Sequence, residues 1–102
     1  MTRLLENHKE AIAELCRKYN VQRLFVFGSA IRDDFRPGES DVDFLVEFAP
    51  IGGQLKFHAY FEMLDELQRE LGNKVDLVMS GAVQNAIIKD EIEKTKRLIY
   101  GS

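Results

Sequence analysis

The stretch FVFGSAIRDDFRPGESDVDFLVEF, Phe25 to Phe48, decides how the rest of the chain is read. It opens inside a short, aromatic-rich apolar run, Arg23 to Phe27, of the kind that forms a buried strand, and Gly28-Ser29 ends that run. Pro37-Gly38 marks a loop. From Asp41 strict alternation begins, with Val42, Phe44, Val46 and Phe48 on one face and Asp41, Asp43, Leu45 and Glu47 on the other. A second strand is thus entered through two aspartates spaced one residue apart. Carboxylates held that close repel each other unless a cation lies between them.

Outward from this stretch, the period of the apolar residues switches several times and no segment repeats. Leu4, Leu5, Ile12, Leu15, Cys16 and Tyr19 fall near one helical face, which predicts a first helix with Thr2 as N-cap, ending near Asn20. A short helical turn is expected over Ala30 to Phe35. Further on, Leu55, Tyr60, Phe61, Leu64, Leu67 and Leu71 recur at helical spacing, and Gly72-Asn73 supplies the stop. Lys74 to Met79 alternates again, with Val75, Leu77 and Met79 toward the core and Asp76 on the opposite face. A last helix is expected from about Val83 to Lys94, followed by an edge strand or a tail over Arg97 to Gly101. Strands alternating with helices indicate an α/β layer fold. The length, 102 residues, fits a single domain over residues 1–102.

Composition narrows the function classes. Hydrophobic residues make up 45% and charged residues 30%, with two prolines, which excludes disordered and collagenous chains. A net charge of -3 gives no general attraction to nucleic acid or to an anionic membrane, so neither is an expected partner, and any anion must be held locally. The one cysteine cannot form an internal disulfide and fits a reducing compartment; with no signal peptide and no apolar run near about 18 residues, the cytoplasm is the expected location.

The acids can now be placed. Residues two apart on a strand project from one face about 6.6–6.8 Å apart, and the neighbouring strand lies about 4.8 Å away, so Asp41, Asp43 and Asp76 can converge. Mg²⁺ is commonly held by one or two carboxylates plus substrate phosphates, and paired ions in phosphoryl-transfer sites lie about 3.5–4 Å apart. The bland alternative is a solvated acidic sheet face, which half-exposed sheets often carry. Gly28-Ser29 adds a turn where backbone can approach a ligand closely and a hydroxyl can donate to phosphate. It is not a P-loop, because no lysine follows in the required frame.

Gly-Ser after a strand, Arg32 three residues on, and Ser40-Asp41-x-Asp43 opening the next strand together resemble the minimal nucleotidyltransferases, small members of the DNA polymerase beta-like superfamily. The matching residues are GSAIR (Gly28 to Arg32), SDVDFLV (Ser40 to Val46) and VDLV (Val75 to Val78), and the likeness spans essentially the whole chain. The resemblance implies a small mixed β-sheet packed with helices. It implies that Gly28 and Ser29 contact the nucleoside triphosphate, that Asp41, Asp43 and Asp76 are catalytic and hold two Mg²⁺ ions, and that ATP is the substrate; Arg32 and Ser40 are further nucleotide-binding candidates, with pairing to Asp33 or Asp34, or bracing of the loop through a sheet-face carboxylate, as the alternatives for Arg32. It further implies an antitoxin that forms a hetero-oligomer with a HEPN ribonuclease toxin and transfers AMP to a tyrosine of that toxin. Two other readings remain open: a binding module that neutralises its partner by masking it, and an aminoglycoside-type small-molecule transferase, against which the missing acceptor-binding domain counts. Family members often carry glycine after the arginine, where this chain has Asp33 and Asp34.

The remaining reactive side chains have structural readings. Cys16 continues the apolar stripe of the first helix and is expected in the core. His8 and His58 lack partners at metal-ligand spacing. Lys94, Lys96 and Arg97 form a short basic run at a helix C-terminus, read as solvated.

Overall fold

In the computed structural model, which describes residues 3–32 and 35–101, the apolar run and the alternating segment after it form strands β1 (Val21–Phe27) and β2 (Val42–Phe48), paired antiparallel. Strand β3 (Val75–Met79) runs parallel to β2, and β4 (Arg97–Tyr100) antiparallel to β1. The sheet order is β3-β2-β1-β4, a mixed sheet with β4 as the edge beside β1. A parallel pair needs a crossover connection, and here it is the 19-residue helix α3 (Gly53–Leu71). Helices α1 (Arg3–Asn7) and α2 (Lys9–Lys18) precede the sheet, and α4 (Ala86–Thr95) lies between β3 and β4. A 3₁₀ turn, Gly28–Ile31, follows β1 directly. Thr2, Asp33 and Asp34, each singled out in the sequence, lie outside the described residues.

Each face of the sheet has its own apolar layer. Leu24, Val26, Val42, Phe44, Val46, Val75 and Leu77 pack with Ile12 and Cys16 of α2 and with Ala59, Met63, Leu67 and Leu71 of α3. On the opposite face Phe25 and Leu45 meet Ile92 of α4. Fully burying side chains of this size contributes about 1.5–3 kcal/mol each, so the first layer dominates stability. Burial also pushes the Cys16 thiol up to about 12, against a small opposing effect of Arg17, which leaves it protonated and inert.

The first helix is broken where an unbroken one is expected. His8 takes a non-helical conformation between α1 and α2, and its Nδ1 lies 2.8 Å from Glu70 Oε2 of α3. Asn20 ends the segment in the left-handed region at φ 57, a conformation asparagine tolerates. The Tyr19 hydroxyl donates to Glu66, and Lys18 Nζ reaches the same carboxylate at 3.1 Å, fastening α2 to α3. The basic run near the C-terminus is less solvated than expected: Lys96 pairs with Glu93 at 3.0 Å and lies 4.3 Å over the Phe25 ring.

The buried stripe of α3 is Ala59, Met63, Leu67 and Leu71, whereas Leu55 and Phe61 are 65% and 59% exposed. At about 100° per residue, Phe61 sits roughly opposite the midpoint of Ala59 and Met63, and a row of every fourth residue drifts about 40° per step, carrying Leu55 off the sheet. Large apolar residues alone therefore give the wrong phase in the first half of this helix. Met63→Ala should lower unfolding free energy by about 2–5 kcal/mol, as a buried truncation does. Phe61→Ser should shift it by no more than about 0.5 kcal/mol, as an exposed substitution does. Urea denaturation of the two variants measures both, and the reverse order would place the stripe on the expected face.

Candidate active site

The acids gather where three strand ends meet. In the parallel β2–β3 ladder Asp43 is the partner of Asp76, and in the antiparallel β1–β2 ladder Phe27 is the partner of Asp43. Partners in a ladder project to the same side, so Asp43 and Asp76 stand side by side on the face that carries Phe25 and Leu45. Asp41 precedes β2 by one residue, half-buried, while Asp76 is exposed.

Gly28 follows Phe27 with φ +72, and a Cβ there would run into the Asp43 carboxylate oxygen. Glycine is thus required twice, for the backbone conformation and for the approach. The Ser29 hydroxyl donates to the Asp41 carbonyl across 3.4 Å, tying the turn to the loop that enters β2. The Arg32 N–H donates to the Ser29 carbonyl at 3.0 Å, and the Arg32 charge acts on Asp43. The Ser40 hydroxyl accepts the Arg36 N–H at 3.1 Å within its own loop and keeps its own proton to donate.

Asp43 pays electrostatically for its position. Burial first, then the charges of Asp76 and Asp41, push its carboxyl up to about 6, with Arg32 pulling the other way. Among the described residues no three His, Cys, Asp or Glu side chains stand close enough to hold a metal ion as placed. The donor chemistry nevertheless fits a hard divalent cation: all-oxygen ligands, a half-buried carboxylate strained by two neighbouring acids, and a glycine that leaves the approach open. The site is open. Clefts of about 270 Å³, along Val46, Glu47, Lys56 and Ser80, and of about 470 Å³, along Gln54, Phe57, His58 and Phe61, are lined by none of the three acids.

Residues 10–102 match the family model for polymerase beta, nucleotidyltransferase. The chain belongs to the polymerase beta nucleotidyltransferase family. It is 43% identical over 97 residues to a protein of Methanocaldococcus jannaschii named, provisionally, as a protein adenylyltransferase, covering 95% of this chain and 90% of that one. It is 38% identical over 86 residues to protein adenylyltransferase MntA of Thermococcus cleftensis, covering 84% and 80%. Among solved structures, one of a tri-AMPylated HEPN toxin of Shewanella oneidensis in complex with an MNT antitoxin shares the fold, with a TM-score of 0.66 at 21% identity, covering 95% of this chain and 72% of that one. By family this chain is a nucleotidyltransferase, and its mixed sheet is the one that the resemblance of GSAIR, SDVDFLV and VDLV implies.

Of the expected site residues, the fold gathers Gly28, Ser29, Asp41, Asp43 and Asp76 at one sheet end, with Arg32 and Ser40 on the flanking turns. Asn73, expected only as part of a helix stop, reaches that same end of the sheet with its side chain. Asparagine after a C-cap glycine carries no signal that distinguishes the two roles.

The Asp43 carboxyl titrates higher in the folded chain than unfolded, so the native state holds the extra proton between about pH 4 and pH 6, and stability falls as pH rises through that window. Asp43→Asn should remove that fall and raise stability at pH 7 by about 1 kcal/mol after solvent screening of this half-exposed group, or about 4–8 °C in Tm. Thermal scans from pH 4 to pH 8 without divalent ions check it; an equal Tm for the variant at pH 7 would mean that Asp43 is not strained, and a strongly lowered one that it is structural. Gly28→Ala should act oppositely, lowering stability by about 1–3 kcal/mol through its positive φ and the displaced carboxylate. Denaturant titration measures that loss.

Proposed function

We propose that this protein transfers AMP from ATP to a tyrosine hydroxyl of a HEPN-type ribonuclease toxin, and thereby acts as the toxin's antitoxin. The observation that carries the reading is the crowding of Asp43 with Asp76 and Asp41 beside a glycine turn, in a chain of the nucleotidyltransferase family. The protein adenylyltransferase names of its relatives, and the AMPylated toxin held by an antitoxin of the same fold, support the choice of nucleotide and acceptor. The buried free cysteine fits a reducing cytoplasm, and no helix among the described residues is long and apolar enough to cross a membrane.

On this reading Asp41, Asp43 and Asp76 would hold two Mg²⁺ ions. When bound, Mg²⁺ supplies neutralisation of the triphosphate and of the charge that develops during transfer. Gly28 lets the backbone approach the phosphates, and Ser29, Arg32 and Ser40 donate to their oxygens. The acceptor oxygen attacks the α-phosphorus in line with pyrophosphate, the bond to pyrophosphate breaks, and a phosphate ester of AMP forms. On this reading Asp76, the exposed acid, takes the hydroxyl proton as the nucleophile arrives from solvent. Most of the acceleration comes from placement and charge neutralisation.

The test is to co-express a helical toxin partner with the wild-type protein and with an Asp41→Asn, Asp43→Asn double variant, then weigh the intact partner. The expected result is one or more AMP additions with the wild type alone, on tyrosine by peptide mapping. Equal neutralisation of an unmodified partner by the double variant would establish masking instead, and adducts of another nucleotide would overturn the choice of ATP.

A further inference from the structure

Asn73 is the only buried polar or charged residue among those described, 8% exposed, and it uses its whole amide. Its Oδ1 accepts the Gly38 N–H at 2.7 Å, and its Nδ2 donates to the Ser40 carbonyl at 2.8 Å and to the Lys74 carbonyl at 3.0 Å. The Lys74 carbonyl also accepts the Val42 N–H at 3.0 Å, the bond that opens the β2–β3 ladder. One side chain therefore bridges the loop that delivers Asp41 and Asp43 and the strand start that delivers Asp76. A neighbouring contact reinforces the joint: Gln68 of α3 accepts the Val75 N–H at 3.2 Å.

We propose that Asn73 is a positioning residue, fixing how far Asp76 stands from Asp41 and Asp43 and so how tightly the three acids take a divalent cation. The inference rests on the reading that these carboxylates are the metal ligands. Asn73 touches none of them; it holds the backbone at Ser40, one residue before Asp41, and at Lys74, two residues before Asp76. A parallel ladder slipped by one residue would send Asp76 to the opposite face, and a frayed ladder start would let the acids separate under their own repulsion.

The experiment measures Mn²⁺ binding by calorimetry, in the presence of a non-hydrolysable ATP analogue, for wild type, Asn73→Ala, Asn73→Ser and Met63→Ala, at a temperature where each is folded. Serine is too short to span the two segments, so both Asn73 variants should bind Mn²⁺ about tenfold more weakly, the lower end of what supporting residues around metal ligands typically cost. The Gly38 amide should exchange with solvent faster in both. Met63→Ala, destabilised in the core away from the acids, should keep the wild-type Mn²⁺ affinity. If the Asn73 variants lose stability yet retain wild-type affinity, the residue is structural and the proposal fails; should Asn73→Ala not fold, Asn73→Ser alone decides by the same comparison. Failure of the wild type to bind Mn²⁺ would sink the carboxylate reading itself, and this inference with it.

Discussion

The register of β2 against β3 is the constraint from which both core and site follow. Val42 pairs with Val75 and Phe44 with Leu77 on the buried face, so Asp43 must pair with Asp76 on the other. A one-residue slip of β3 along β2 would part the two acids only by also turning Val75 and Leu77 out of the core. At about 1.5–3 kcal/mol for each buried side chain, that burial outweighs the repulsion between two partly solvated carboxylates. Apolar pairing thus forces like charges together and holds them there.

At the end of β1 the same logic operates on the backbone. Gly28 packs where no other residue leaves room for the Asp43 carboxylate, and its left-handed conformation turns the chain away so that Ser29 meets the Asp41 carbonyl. The site is therefore built from the ends of three strands, each anchored by a buried run immediately inside it: Leu24 and Val26, Val42 and Phe44, Val75 and Leu77. Acids placed on rigid strand starts lose little further freedom when a ligand arrives, which is what favours tight placement of reacting groups.

Alternation made much of this legible in the sequence. Period two across Val42 to Phe48 and Val75 to Met79 fixes which residues face the core, and hence that Asp43 and Asp76 share the opposite face. The glycine turn was legible because a strand ended on it. The helices were less so, since the choice of buried face in α3 turns on Ala59 and Met63, while the bulkier Leu55 and Phe61 point outward. The broken helix meets Glu70, 62 residues away, through His8, and the reach of Asn73 to Gly38 spans 35 residues. Such contacts exist only once the sheet is assembled, so no local pattern announces them.

An open acidic end also constrains how the proposed transfer can work. Asp76 is exposed while Asp41 and Asp43 are half-buried, so the acid cluster meets solvent on its β3 side. Water would compete with any acceptor hydroxyl, and electrostatic stabilisation would be weakened by the surrounding dielectric. An enzyme of this shape gains both specificity and rate if the acceptor's own surface covers the site when its hydroxyl arrives. Specificity for the acceptor then resides in the docked pair rather than in a pocket of this chain. A small alcohol, unable to cover the acids, would be a poor substrate even where it could reach the phosphorus.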